Sequence, residues 1–145
     1  MKKEMQKFWV SQAVILIRDN KCLLVKSAKS GFYGLPGGRI DVGENKDIAL
    51  ARELQEELGI TEFEKIGLVD YLVFYDLPSR IKLESPVCAV INLIDSHQEV
   101  VNQDENENSA IEWVAESEID NYQYCWYSLD KSIKKAFAIY NQLHK

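Results

Sequence analysis

The stretch GRIDVGENKDIALARELQEELGI, Gly38 to Ile60, constrains this 145-residue chain more than any other part of it. Glu53, Glu56 and Glu57 stand at i, i+3 and i+4, a spacing that stacks them on one face of a helix. Like charges at i, i+4 destabilise a helix by roughly 0.2–0.5 kcal/mol, so an acidic face this tight needs a counter-charge. Arg52 is adjacent and supplies one; a hard divalent cation held by carboxylate oxygens would supply more. At about 100° per residue, Ile48, Leu50, Ala51, Leu54 and Leu58 are expected on one arc and the three glutamates on the opposite arc. One side would then pack on a sheet while the other faces a cleft. Asn45 suits the N-cap, Asp47 the positive end of the helix dipole, and Gly59 the left-handed residue that ends the helix. Upstream, Gly37, Gly38 and Gly43 allow a tight loop that brings backbone close to whatever the helix binds. A solvated amphipathic helix accounts for the acidic face, but not for these glycines and Glu44 at fixed distances from it.

The rest of the chain supplies strands. Phe8 to Ile17 and Cys22 to Val25 are β-rich runs joined by Arg18-Asp19-Asn20-Lys21, a hairpin signal. Ser27 to Gly38 reads as a glycine-rich loop, Ile66 to Tyr75 as a strand, Asp76 to Ser79 as a turn and Val87 to Ile94 as a further apolar strand. Asp95 to Ser109 is polar and acidic, hence loop, and Ile111 to Ala115 makes a short strand around Trp113, which reads as core. A last helix starts at Ser128 as cap, with Leu129, Ile133, Ala136, Phe137, Tyr140 and Leu143 as its apolar stripe and Lys131, Lys134 and Lys135 outside. Two helices among a mixed set of strands imply a layered α/β sandwich. The length fits one domain, residues 1–145, able to bury a core without staples.

Composition narrows the class. Hydrophobic residues make up 46% and charged residues 28%, ordinary for a globular protein. A net charge of −6 argues against non-specific nucleic-acid binding through a basic surface. Cys22, Cys88 and Cys125 are odd in number and widely spaced, which fits reduced cysteines in a cytoplasmic protein, Cys22 and Cys88 in apolar strand-like runs. Lys2 and Lys3 could begin a signal peptide, but Ser11 and Gln12 interrupt the apolar run and no cleavage site follows. No stretch approaches the ~18 apolar residues of a membrane span.

The order Gly38, Glu44, Arg52-Glu53-Leu54, Glu56-Glu57, Gly59-Ile60 resembles the Nudix box at each of its fixed positions. Tyr33-Gly34-Leu35-Pro36-Gly37-Gly38 is similar to the family's lead-in, with Tyr where Trp is common; Asp41 stands where Glu is more usual. The resemblance to Nudix (MutT-like) hydrolases implies an α/β/α sandwich, a mixed sheet between helices with the box as loop–helix–loop. It implies Mg²⁺ or Mn²⁺ bound by Glu56 and Glu57, with a backbone carbonyl of Gly37 or Gly38 completing the shell. Glu53 is then either a further ligand or the base that takes the proton of the attacking water. Arg52 and Glu44 form a supporting pair that orients the acidic face. Glu107, six residues before Trp113, is the best match for a fourth acid, with Asp104, Glu105 and Glu112 as competitors. His97 and His144 stand alone and read as surface residues.

Lys26, Lys29 and Arg39 flank the glycine loop and are candidates for phosphate contact. Tyr33, and the Tyr122, Tyr124, Trp126 and Tyr127 cluster, are candidates for base stacking, although clustered aromatics more often serve core and helix-entry packing. The implied activity is metal-dependent hydrolysis of a phosphoanhydride in a nucleoside diphosphate-linked small molecule: an NTP or dNTP, ADP-ribose or a sugar nucleotide. The alternatives are a non-catalytic nucleotide-sensing module and removal of pyrophosphate from the 5′ end of RNA. Neither membrane nor long nucleic acid is an expected partner, and the resemblance leaves room for a homodimer.

Overall fold

The computed structural model describes residues 3–145, so Lys2 of the basic N-terminal pair lies outside the described residues. Seven strands form the sheet: β1 (Trp9–Arg18), β2 (Lys21–Ser27), β3 (Tyr33–Gly34), β4 (Gly37–Arg39), β5 (Glu64–Phe74), β6 (Val87–Asp95) and β7 (Asn108–Ala115). Helix α1 (Lys46–Leu58) follows β4, a 3₁₀ turn spans Glu116–Asn121, and α2 (Leu129–Leu143) ends the chain. The backbone order is β3-β2-β1-β6-β5, with β4 added to β1 and β7 to β2. β1 and β6 run parallel and the remaining pairs are antiparallel, so the sheet is mixed, as expected. Asp19 and Asn20, at φ 52° and 63°, turn β1 into β2 as a two-residue hairpin whose twist matches the strands.

β1 is the central strand. Ala13 to Leu16 are fully buried because alternate side chains enter two cores. Val14, Leu16, Leu23 and Ile94 meet Leu50, Leu54, Leu58 and Ile60 of the α1 segment. Ala13, Ile15, Ile91 and Leu93 meet Leu129, Ile133, Ala136 and Phe137 of α2. The sheet therefore lies between two helices, the sandwich that the pattern implies.

Several local expectations need correction. Ile48 is 57% exposed and Ala51 is exposed, whereas Ala49 is buried. The buried arc of α1 is rotated toward the acids: Glu57 lies only about 60° around the helix from Leu54 and is itself 3% exposed. Ser128 occupies the N-cap position of α2 but in a left-handed conformation, φ 66°, and its hydroxyl caps nothing; Leu143 is exposed. The glycine-rich loop contains β3 and β4, paired to β2 and β1. β7 begins at Asn108, shortening the acidic loop, and the 3₁₀ turn has no signature in the sequence pattern. Trp113 and Cys88 are only partly buried, and the Arg18 guanidinium sits 5.3 Å from the Trp113 ring centroid.

Candidate active site

Three devices bring the acids of α1 against the glycine loop. The Asn45 side chain accepts from the amides of Asp47 and Ile48, fixing where the helix begins. Gly59, at φ 69°, ends it, and its N–H donates to the Gln55 carbonyl. The Gln12 side-chain amide donates to the Lys46 carbonyl at 2.6 Å, tying β1 to the first turn of α1. β4 then pairs with β1 through Gln12↔Gly38 and Ala13↔Gly37, which lays both glycines beside Glu53 and Glu57. Gly37 donates its N–H to Glu57 Oε2 at 3.1 Å. A Cβ on Gly38 would overlap the Glu53 carboxylate, so glycine is what lets that acid reach the loop.

Arg52 is the hub of the charges. Its Nε and Nη2 grip both oxygens of Glu44, at 2.7 and 2.8 Å, and its Nη1 reaches Glu53 Oε1 at 2.9 Å and Glu56 Oε2 at 3.3 Å. Nη2 also lies 3.2 Å from Asp41 and donates to the Arg39 carbonyl. The fork geometry of guanidinium suits this double grip. Arg52 holds the Glu44 carboxyl down at about 2, helped by the Asp41 N–H, so Glu44 stays ionised. The expected Arg52–Glu44 pair is present.

Glu57 has a different environment. Burial pushes its carboxyl up to about 8 against the opposing Gly37 N–H, and the charges of Glu107, Glu53 and Asp104 add to the rise. Burial raises Glu53 as well, despite Arg52. Glu107 is raised by partial burial and then by Asp104 beside it. The segment that carries Glu107 is anchored rather than loose: Val101 and Gln103 donate to the carbonyls of Leu58 and Glu57, and Ala28 donates to the Glu107 carbonyl.

A cleft of about 460 Å³ gathers these groups. Glu53, Glu56, Glu57, Glu107, Gly37, Gly38, Arg39 and Asp41 line one part, and Val25, Leu35, Cys125 and Trp126 supply apolar wall. Lys26, Lys29 and Tyr33 are not among its lining residues. Tyr33 instead packs edge-on against Tyr122, with ring centroids 4.8 Å apart, and Lys26 lies over its ring. Arg39 reaches the cleft while its guanidinium covers Trp9 at 4.3 Å. Asp104, Glu105 and Glu112 do not line the cleft, and His97 and His144 are exposed away from it. Trp126 is only one member of an aromatic cluster in the sequence, and Val25, Cys125 and Asn108 carry no signal there. All four come from segments distant from the box.

A cation fits the donor set. Among the described residues, Glu53 Oε2, Glu56 Oε1 and Glu57 Oε1 accept no hydrogen bond, so each acid keeps a free hard oxygen. No three Asp, Glu, His or Cys side chains among those residues are already gathered as a ligand set, and Glu53 and Glu56 each pair with Arg52.

The sequence matches the NUDIX domain family over residues 7–137. The chain belongs to the Nudix family. Relatives include an RNA pyrophosphohydrolase of Pelagibacter ubique, 37% identical over 70 residues, covering 47% of this chain and 44% of that protein. An 8-oxo-dGTP diphosphatase of Proteus vulgaris is 35% identical over 79 residues, 52% of this chain and 69% of the relative. The matches thus span 44% of the first relative's length and 69% of the second's. Among solved structures, a MutT Nudix hydrolase from Burkholderia pseudomallei superimposes with a TM-score of 0.72 at 24% identity, covering 90% of this chain and 98% of the other. That likeness is one of fold, and the Nudix box of this chain is the loop–helix segment described above.

Proposed function

We propose that this Nudix protein is a metal-dependent pyrophosphohydrolase of nucleoside diphosphate-linked small molecules. One observation carries the reading. Glu57 is a nearly inaccessible carboxyl with no cationic partner among the described residues, held by the Gly37 N–H against the same cleft that Glu53, Glu56 and Glu107 line. Ionising a carboxyl buried in this way costs several kcal/mol unless a counter-charge arrives, and perturbed acids gather where chemistry is done.

Glu57 and Glu56, with the carbonyl of Gly37 or Gly38 and Glu107 at the rim, would hold Mg²⁺ or Mn²⁺. Such an ion neutralises phosphate oxygens and favours attack by water at phosphorus. The chain's own residues do the rest. Arg52 fixes Glu53 through one oxygen, leaving Oε2 to take the proton of the attacking water as the phosphorus–bridging-oxygen bond breaks. Arg39, which lines the cleft, would donate to the phosphates, and Trp126 with Leu35 and Val25 would form the wall for the base. Trp126→Ala is expected to raise KM several-fold with little change in kcat, while Tyr33→Ala leaves KM alone; steady-state kinetics on the preferred nucleotide reads both. The three free cysteines support a cytoplasmic setting, and no described helix is long and apolar enough to cross a membrane.

The test is product release from a panel of NTPs, dNTPs, an oxidised guanine nucleotide, ADP-ribose, sugar nucleotides and a dinucleoside polyphosphate, with Mg²⁺, with Mn²⁺ and with chelator. Release of a nucleoside monophosphate from one class, abolished by chelation, is the expected result. Equal rates with chelator would end the metal reading, and no turnover of any substrate by folded protein would favour a nucleotide-sensing module. The RNA pyrophosphohydrolase among the relatives favours 5′-triphosphorylated RNA as a second reading. Against it stands the net charge of −6, and it predicts RNA affinity that falls steeply with salt.

A further inference from the structure

The sheet surface on the α1 side is only half covered. α1 lies over Val14, Leu16 and Ile94, and its 13 residues extend about 20 Å. Beyond its first turn the same face continues across the N-terminal part of β1 and onto β5, an edge strand of the sheet. There Ile66, Leu68, Tyr71 and Val73, with Tyr75 just past the strand, are between 38% and 64% exposed, and Val10 of β1 is 38% exposed. The pairings Val10↔Cys88↔Val73 and Val90↔Tyr71 put these side chains on one continuous surface with Cys88 and Val90 of β6. The opposite face of β5 is covered, since Val69 and Leu72 pack into the α2-side core.

We propose that this face is the interface of a homodimer, in which two β5 surfaces pack against each other about a two-fold axis. A two-fold contact places every residue against its own kind of surface. A chain of net charge −6 therefore needs a charge-free patch on which to meet itself. From Ile66 to Tyr75 the one charged residue is Asp70, and it points to the other face, where it accepts from Ser132 at 2.8 Å and pairs with Lys135 at 3.1 Å. The six exposed apolar side chains present roughly 600 Å², at the upper end of the largest patch on a typical monomer and near the ~800 Å² per partner of a standard interface. With charges only at its rim, Lys65 at one end and Arg39 and Asp41 beside Val10 at the other, the centre of the patch has little with which to select a charged partner, whereas flat apolar side chains, two of them tyrosines, complement a second copy. β5 also presents an unpaired edge 11 residues long with no proline, its blunting confined to two bulges.

Sedimentation equilibrium of the full chain from about 1 to 300 μM tests this. The expected result is a concentration-dependent shift from the 16.7 kDa chain to twice that mass. Tyr71→Glu with Val73→Lys should weaken the dimer at least about a hundredfold while circular dichroism and turnover stay those of the wild type. Leu143→Lys, at an exposed apolar residue of α2, the helix that covers the opposite face of the sheet, should leave the dimer intact. Should the double variant fail to fold, hydrogen exchange of the wild type at low and high concentration reads the same contact, as protection gained in residues 66–75. A wild-type mass of one chain throughout, a dimer that survives the double substitution, a dimer broken by Leu143→Lys, or protection gained elsewhere would each overturn the proposal.

Discussion

Glu57→Gln is expected to leave a folded protein whose kcat is at least about a hundredfold below wild type, and whose metal-free form is the more stable of the two at pH 8. Both effects come from one carboxyl. The substituted amide would keep an oxygen to accept the Gly37 N–H but could offer no negative charge to a cation or to the reaction. The stability gain follows from linkage. The folded Glu57 carboxyl titrates at about 8, against an ordinary value of 4.5, because it is buried. Between those values the folded state holds a proton that the unfolded chain has lost, so this group makes metal-free protein less stable as pH rises from about 4.5 to 8. Glu53 and Glu107, also raised, act in the same direction. Glu44, lowered to about 2, acts only in more acidic solution, where its contribution is lost as pH falls. Thermal melts of chelated protein between pH 5 and 8 should therefore slope downward for wild type and distinctly less for Glu57→Gln. Parallel slopes would mean that Glu57 is ionised throughout, and near-wild-type turnover by the folded variant would remove it from the site.

What is legible in the sequence is what depends on local spacing. The cap at Asn45, the left-handed Gly59, the hairpin at Asp19-Asn20 and the Arg52–Glu44 pair all lie within a few residues of the features that announce them. The apolar arc of α1 differs from its expected position for a non-local reason. A symmetric stripe centred on Leu54 would bury Ile48 and Ala51, but β4 approaches the helix from the other flank and buries Glu57 and most of Glu53 instead. That approach is set by the β1–β4 register, which no periodicity encodes. The far wall of the cleft is hidden from the sequence for the same reason: Val25, Asn108 and Trp126 meet only because β2 pairs with β7 and the segment before α2 returns beside β3, through Tyr33↔Tyr124. Tyr33 has the right position in the motif, yet its ring turns to Tyr122 and away from the cleft.

The β1–β4 register makes three glycines that look alike in the sequence respond differently to alanine. Gly43→Ala puts a Cβ into open space, and its cost is the left-handed backbone alone, φ 83°, about 1–2 kcal/mol; the protein should fold and turn over. Gly38→Ala meets only the end of the Glu53 side chain, so it should fold too, but with Glu53 pushed off the loop and kcat reduced roughly tenfold or more. Gly37→Ala has no such outlet. At φ 149° its new Cβ overlaps the Gln12 carbonyl oxygen and lies 2.8 Å from the Ala13 Cα, both backbone of the buried central strand. The strand cannot give way without opening the two cores that meet on it, and a shift of β4 would also withdraw the one N–H that holds Glu57. A loss above about 4 kcal/mol is expected, as for other strained backbone sites combined with core displacement. Urea denaturation of the three variants, with kcat measured on those that fold, gives the ranking. If Gly37→Ala unfolds at the same urea concentration as Gly43→Ala, then β4 does not lie against β1 as described, and the placement of Glu53 and Glu57 against the loop fails with it.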